Sequence, residues 1–200
     1  MAELMIVNGS PRAPRSHSKR YAELFSASYP GSTIYENITP NNHQDLCARM
    51  GEVSRLLVVF PLYADAIPVP LLNFLKFLEA HPPRQKPTVS VLINCGFLEP
   101  EQNEVAVRMM RLFCRKNQYP FGSVLMIGSG EAILDTPFRV LAAGKIRRFA
   151  HSVARGDPRT FQITMPLPKG LFVRAAGSYW ERYGKKYGTG KEQMQTMQIE

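Results

Sequence analysis

The sequence predicts an α/β three-layer sandwich on a five-stranded parallel sheet in the order 2-1-3-4-5. Two observations carry this. Short apolar runs alternate with longer amphipathic segments from residue 4 to about residue 155, the pattern of repeated βα units. The third run, Arg55–Phe60, is apolar after its first residue, as expected of a strand covered on both faces.

The elements follow in order. Leu4–Asn8 reads as the first strand, and Lys19–Ser28 as the first helix, stopped by Pro30-Gly31. Thr33–Asn37 is a short polar strand suited to a sheet edge, and Asn42–Met50 a weak helix. After the third strand, Pro68–Glu79 reads as a helix whose leading proline gives up no needed N–H. Thr88–Asn94 is the fourth strand. Pro100–Asn117 is a strong helix, with Val105, Met109, Leu112 and Phe113 expected along its apolar face. Gly122–Ile127 is the fifth strand and Pro137–Ala154 a further helix. The sandwich is therefore expected over 1–156, with a basic C-terminal extension over 157–200. In that extension, Phe161–Met165 is a candidate extended piece and Pro166-Leu167-Pro168 a stiff link. A helix is expected over 170–187 carrying Phe172, Trp180 and Tyr183, and its aromatic content requires that it pack somewhere. The closing residues 188–200 hold few large apolar side chains and are expected to be loose.

Composition narrows the class. An apolar content of 44% supports a sizeable core, and no run reaches the length of a membrane span. The N-terminus lacks a basic region followed by an apolar one, so no signal peptide is expected. Cys47, Cys95 and Cys114 are an odd set without C-x-x-C and read as reduced thiols of a cytoplasmic protein. The net charge of +9 is uneven: residues 1–138 hold 13 Lys+Arg and 12 Asp+Glu, residues 139–200 hold 12 and 4. Such a tail suits an anionic partner or is simply a solvated face. No nucleic-acid-binding signature accompanies it, so a nucleic-acid partner is not expected.

Three loops carry the candidate chemistry. Asn8-Gly-Ser-Pro-Arg-Ala-Pro-Arg-Ser-His-Ser18 joins the first strand to the first helix, where backbone N–H groups face an anion. It lacks both G-x-x-x-x-G-K-[ST] and G-x-G-x-x-G. What remains is a hydroxyl-lined cradle, Ser10, Ser16 and Ser18 with Arg12, Arg15 and His17 between them, able to hold a phosphate monoester without a metal. An ordinary βα turn with a serine N-cap is the alternative. Gly128-Ser-Gly130 reads mainly as a turn. Phe60-Pro-Leu-Tyr-Ala-Asp-Ala-Ile-Pro68 leaves the third strand. In a 2-1-3-4-5 sheet the first and third strands flank the switch point, so both loops meet over one ligand. A flat ring would lie against Leu62 and Tyr63, unless Tyr63 is only a half-buried surface aromatic. Asn94-Cys-Gly-Phe97 follows the fourth strand as the far wall. Gly96 permits close approach there, and Asn94 offers an amide. Cys95 reads as a small core residue rather than a nucleophile, since no motif places a histidine beside it.

With these loops in place, the chain resembles the flavodoxin-like NAD(P)H-dependent FMN reductases and quinone reductases. The resemblance rests on N-G-S-P-R…S-H-S at 8–18, F-P-L-Y-A-D-A-I-P at 60–68 and N-C-G-F at 94–97, and spans about residues 4–155. It implies a flavodoxin-like fold, bound FMN, NAD(P)H as co-substrate and a homodimer. It assigns the phosphate to Ser10, Arg12, Ser16, His17 and Ser18, the isoalloxazine to Pro61, Leu62 and Tyr63, and the pyrimidine side to Asn94, Cys95, Gly96 and Phe97. His17 stands where asparagine is common, and the Ala64-Asp65 pair has no assigned role. The implied activity is reduction of a quinone, flavin, nitro- or azo-type acceptor through FMN, with the chemistry in the cofactor and no protein acid or base named. The alternatives are a non-enzymatic flavodoxin-type electron carrier, against which the basic charge counts, and a flavodoxin-like binding module that has lost flavin.

Overall fold

The structure is a computed structural model that describes residues 3–196. It divides into two compact units, residues 1–165 and 166–200. The first unit is a parallel sheet with helices on both faces. Its strands are β1 (Leu4–Asn8), β2 (Thr33–Asn37), β3 (Arg55–Pro61), β4 (Thr88–Asn94), β5 (Phe121–Ile127) and β6 (Thr160–Ile163), in the order 2-1-3-4-5-6. Between them run α1 (His17–Ser28), α2 (His43–Met50), α3 (Val69–Ala80), α4 (Glu104–Lys116) and α5 (Arg139–Arg155).

The sheet therefore has six strands rather than the predicted five. The segment expected only as an extended piece pairs parallel to β5, Val124 with Thr160 through Ile127 with Ile163. At four residues and half-exposed, β6 carries little apolar signal of its own. Phe161 anchors it on Phe149 of α5, ring centroids 6.1 Å apart. The chain reaches the edge by turning at Gly156, which ends α5 in the left-handed conformation (φ 66°), a geometry glycine adopts without strain.

Strands β1, β3, β4 and β5 are almost wholly buried, which explains their near-continuous apolar sequence. Alternate side chains point to opposite faces. Met5, Val7, Val58, Phe60, Val91 and Ile93 pack with the helices α2, α3 and α4 in one cluster. The α1–α5 pair shares its own aromatic contact, Phe25 on Phe149 at 5.5 Å. Fully burying each such side chain is worth roughly 1.5–3 kcal/mol.

Two helices depart from expectation. The Pro100–Asn117 segment opens as a 3₁₀ turn, Pro100–Asn103, before α4 begins. Ala106, Val107, Met110 and Cys114 enter the core, Met109 and Phe113 pack at its margin, and Val105 and Leu112 are exposed. Helix α1 starts at His17, two residues before the predicted Lys19, because Ser16 rather than Ser18 caps it.

The second unit contains α6 (Lys169–Lys185) and α7 (Lys191–Thr196). Residues 188–196, expected to be loose, thus include a short helix, and Met194 of α7 packs on Gly184. Residues 197–200 lie outside the described residues. No described helix is long and apolar enough to cross a membrane.

Candidate functional site

The first loop is organised by Asn8, the last residue of β1, which is fully buried. Its Oδ1 accepts the Ser10 N–H at 3.0 Å. Its Nδ2 faces the Ser16 hydroxyl at 3.2 Å, the Tyr35 hydroxyl at 2.9 Å and Asn37 Oδ1 at 3.2 Å. An amide nitrogen has only two hydrogens, so these three acceptors share them. The Ser10 hydroxyl accepts the Arg12 N–H at 3.2 Å, and its carbonyl accepts the Ala13 N–H at 3.1 Å. Ser16 caps α1 by accepting the Lys19 N–H at 3.2 Å, which satisfies one of the orphaned donors at the helix start. Ser18, the second residue of α1, is buried, and its hydroxyl donates to Asn94 Oδ1 at 3.2 Å.

The outer side of this loop is strongly basic. Arg12, Arg15, Ser16, His17, Lys19 and Arg20 line a cavity of about 480 Å³. Arg20 is held by Asp135 through two contacts, 2.6 and 3.0 Å. That pairing holds the Asp135 carboxyl below the usual range. Lys19 faces Glu23 at 3.8 Å. Arg12 and Arg15 form no ion pair among the described residues. His17 Nδ1 is buried without a hydrogen-bond partner. Burial, and then the Arg20 guanidinium, lower the His17 pKa from its usual value.

The second loop leaves β3 at Pro61, which pairs with Asn94 across the sheet. The Leu62 N–H donates to the Asn94 carbonyl at 2.8 Å. Tyr63 and Ala66 then form an antiparallel bridge, each N–H donating to the other's carbonyl at 3.0 Å. The two residues at the tip, Ala64 (φ 47°) and Asp65 (φ 56°), are both left-handed. This is the twist a two-residue hairpin demands, met here without glycine. The Ala64-Asp65 pair, without a role in the sequence, thus forms the hairpin tip that holds up Tyr63. Pro61 and Leu62 are half-buried, whereas Tyr63 is 59% exposed.

The third loop follows β4. Asn94 and Cys95 are buried, Gly96 and Phe97 exposed, Phe97 to 52%. Cys95 Sγ lies among the Phe97 and Glu99 carbonyls and the Asn103 amide. Burial pushes its thiol pKa up, against the lowering effect of the Phe97 and Asn103 hydrogen bonds. Asn94 spends its Oδ1 on Ser18, so its side chain links loops instead of presenting that oxygen outward. Gly128-Ser129-Gly130 is a turn, as expected. It packs on this loop, with the Ser129 N–H on the Phe97 carbonyl at 2.5 Å and the Gly130 N–H on the Cys95 carbonyl at 2.7 Å. A Cβ at Gly130 would meet Asn94 Cβ at 2.8 Å, so only glycine lets the loops approach this closely.

Asn94 is therefore the meeting point of all three predicted segments: Ser18 reaches its side chain and Leu62 its carbonyl. The two ends of the site differ in chemistry. Ser10, Arg12, Ser16, His17 and Ser18 make a basic, donor-rich end, and Tyr63 and Phe97 expose rings at the other. Several participants were not singled out from sequence. Asn8 and Tyr35 shape the first loop, and Tyr21 donates its buried hydroxyl to the Gly130 carbonyl at 2.7 Å. A polar residue closing the apolar run Leu4–Val7 was the available signal for Asn8; Tyr21 gave none, since an aromatic on a helix reads as core.

No model of a known protein family matches the chain, and no curated protein matches it. Solved structures do. The Streptococcus pneumoniae TIGR4 flavodoxin superposes with a TM-score of 0.56 at 14% identity, over 76% of this chain and 98% of that one. An NAD(P)H:quinone oxidoreductase from Methanothermobacter marburgensis gives 0.58 at 15% identity, over 75% and 95%. The fold is flavodoxin-like. An FMN-dependent NADH-azoreductase from Bacillus anthracis str. Ames Ancestor, in complex with FMN, shares this flavodoxin-like architecture at TM-score 0.55 and 14% identity, over 77% of this chain and all of that one.

Proposed function

We infer that the chain is an FMN-dependent oxidoreductase that takes reducing equivalents from NAD(P)H and passes them to a quinone, flavin, nitro- or azo-type acceptor. The observation that carries this reading is the convergence on Asn94 of the loops after β1, β3 and β4, at the switch point of a flavodoxin-like sheet. The azoreductase, quinone oxidoreductase and flavodoxin folds above support it.

The residues fit FMN at both ends. A phosphate monoester needs donors and positive charge. The start of α1 offers backbone N–H groups, the buried His17 Nδ1 has no hydrogen-bond partner among the described residues, and Arg12 supplies a guanidinium that forms no ion pair among them. Ser16 lies at this helix start, the Ser10 hydroxyl accepts the Arg12 N–H and keeps its own O–H to donate, and Ser18, which donates to Asn94, acts mainly by joining the loops. A planar ring needs flat apolar walls. Pro61, Leu62 and Tyr63 would form one, and Gly96 and Phe97 with the Asn94-Cys95 backbone the other. When bound, FMN supplies the two-electron redox chemistry; the chain's residues bind it, orient it and set its surroundings. The hairpin holding Tyr63 is fixed by its own bridge and by Leu62 on Asn94, so that wall is pre-organised.

An absorption spectrum of the purified protein, followed by FMN titration and steady-state NAD(P)H oxidation with a quinone, tests the reading. Flavin absorption and acceptor-dependent turnover are expected. A flavin-bound protein without turnover would be an electron carrier. A colourless protein whose melting temperature ignores added FMN would be a binding module and would overturn the proposal.

A further inference from the structure

The C-terminal unit carries a surface that flavin chemistry does not use. On α6, Phe172, Ala176, Tyr179 and Tyr183 recur every three or four residues, which places them on one helix face, and Tyr187, in the turn just beyond the helix, lies against Tyr183 with ring centroids 5.2 Å apart. Trp180 joins the same face: it meets Tyr183 edge-on at 5.8 Å, and Tyr179 stacks on Tyr183 at 6.2 Å. Tyr179, Trp180, Tyr183 and Tyr187 are exposed, Trp180 to 52% and Tyr187 to 71%, while Phe172 and Ala176 are half-buried beside them. A contiguous exposed aromatic patch marks an interaction site.

Charge decides what covers it. Residues 166–200 hold six Lys+Arg and three Glu, a net of +3, and residues 1–165 account for the other +6. One of those acids, Glu181, is already paired with Lys191 at 3.1 Å. At this surface a net positive charge favours an anionic partner over a second, equally basic copy of the extension. The patch is chiefly tyrosine and tryptophan, the residues that sit at headgroup depth in a bilayer, with Phe172 on its apolar side. Arg182, Lys185 and Lys186 have stems long enough to reach outward from the apolar face. We propose that α6 is a peripheral docking helix that lies in the plane of an anionic lipid surface, aromatic face inward. Basic amphipathic helices bind there through buried apolar area plus attraction to acidic headgroups. The proposal is independent of whether the first unit binds FMN.

The chain's single tryptophan, Trp180, is the reporter. Full-length protein is mixed with vesicles of phosphatidylglycerol and phosphatidylcholine, or of phosphatidylcholine alone. Binding is read by flotation and by the Trp180 emission maximum. A blue shift and flotation are expected with the anionic vesicles only, both weakening as salt is raised. Tyr179→Ser with Tyr183→Ser should abolish flotation. Lys185→Gln with Lys186→Gln, which leaves the aromatic face intact, should weaken it roughly thirtyfold. Failure to float with anionic vesicles overturns the proposal. So does a blue shift that follows protein concentration without lipid, which marks a second copy, or one produced by single-stranded oligonucleotide in place of vesicles.

Discussion

The Ser18 hydroxyl lies 3.2 Å from Asn94 Oδ1, a buried hydrogen bond between residues 76 positions apart. It joins the start of α1 to the end of β4, and the Asn94 carbonyl in turn receives the Leu62 N–H. Replacing Ser18 with alanine leaves a buried acceptor without its donor, a loss of about 1–3 kcal/mol. Ser18→Ala should therefore lower unfolding free energy by that amount in urea, with an unchanged denaturant slope. A loss below about 0.5 kcal/mol would mean that the bond does not hold the loops together.

The sheet order through β5 was legible because each inner strand is buried on both faces, and such strands spell themselves out as apolar runs. The sixth strand was not, because an edge strand of four half-exposed residues has no such run. The face of α4 was misread because its inward stripe includes small side chains, Ala106 and Cys114, while the larger apolar Val105 and Leu112 face outward. In the site, segments were easier to find than roles. Ser18 was expected at a phosphate from its place in the loop, and its hydroxyl donates to Asn94. A partner 76 residues away leaves no trace in local spacing.

Ala64 and Asp65 carry the left-handed conformations of the Tyr63–Ala66 hairpin. For a residue with a Cβ this costs roughly 1–2 kcal/mol, partly offset in a glycine variant by the entropy of the unfolded chain. Ala64→Gly should raise unfolding free energy by about 0.5–1 kcal/mol while leaving the hairpin intact. A destabilised variant would show that the turn is not strained as its dihedral angles indicate.

Ser16 tests the phosphate end without disturbing the helix. Aspartate caps a helix about as well as serine, so Ser16→Asp should leave thermal stability nearly unchanged. It would, however, place a carboxylate beside the site proposed for a phosphate. FMN affinity should then fall roughly a hundredfold or more, read by flavin fluorescence titration. Unchanged affinity would move the phosphate away from the α1 N-terminus.

His17 gives a pH signature. Burial, followed by the Arg20 guanidinium, lowers its pKa in the folded chain, against the opposing pull of Glu131 and Asp135. The unfolded chain, near 6.5, therefore holds more protons than the folded one between the two values, and stability rises with pH across that window. The contribution is complete above 6.5 and is lost as pH falls toward the folded value. His17→Gln should flatten this part of the stability–pH curve. A bound phosphate reverses the balance, since a dianion beside the ring favours its protonated form. NMR titration of the imidazole should show the His17 pKa below 6.5 in free protein and raised when FMN is added. A pKa that FMN does not move would separate His17 from the phosphate and leave its buried Nδ1 a feature of the loop alone.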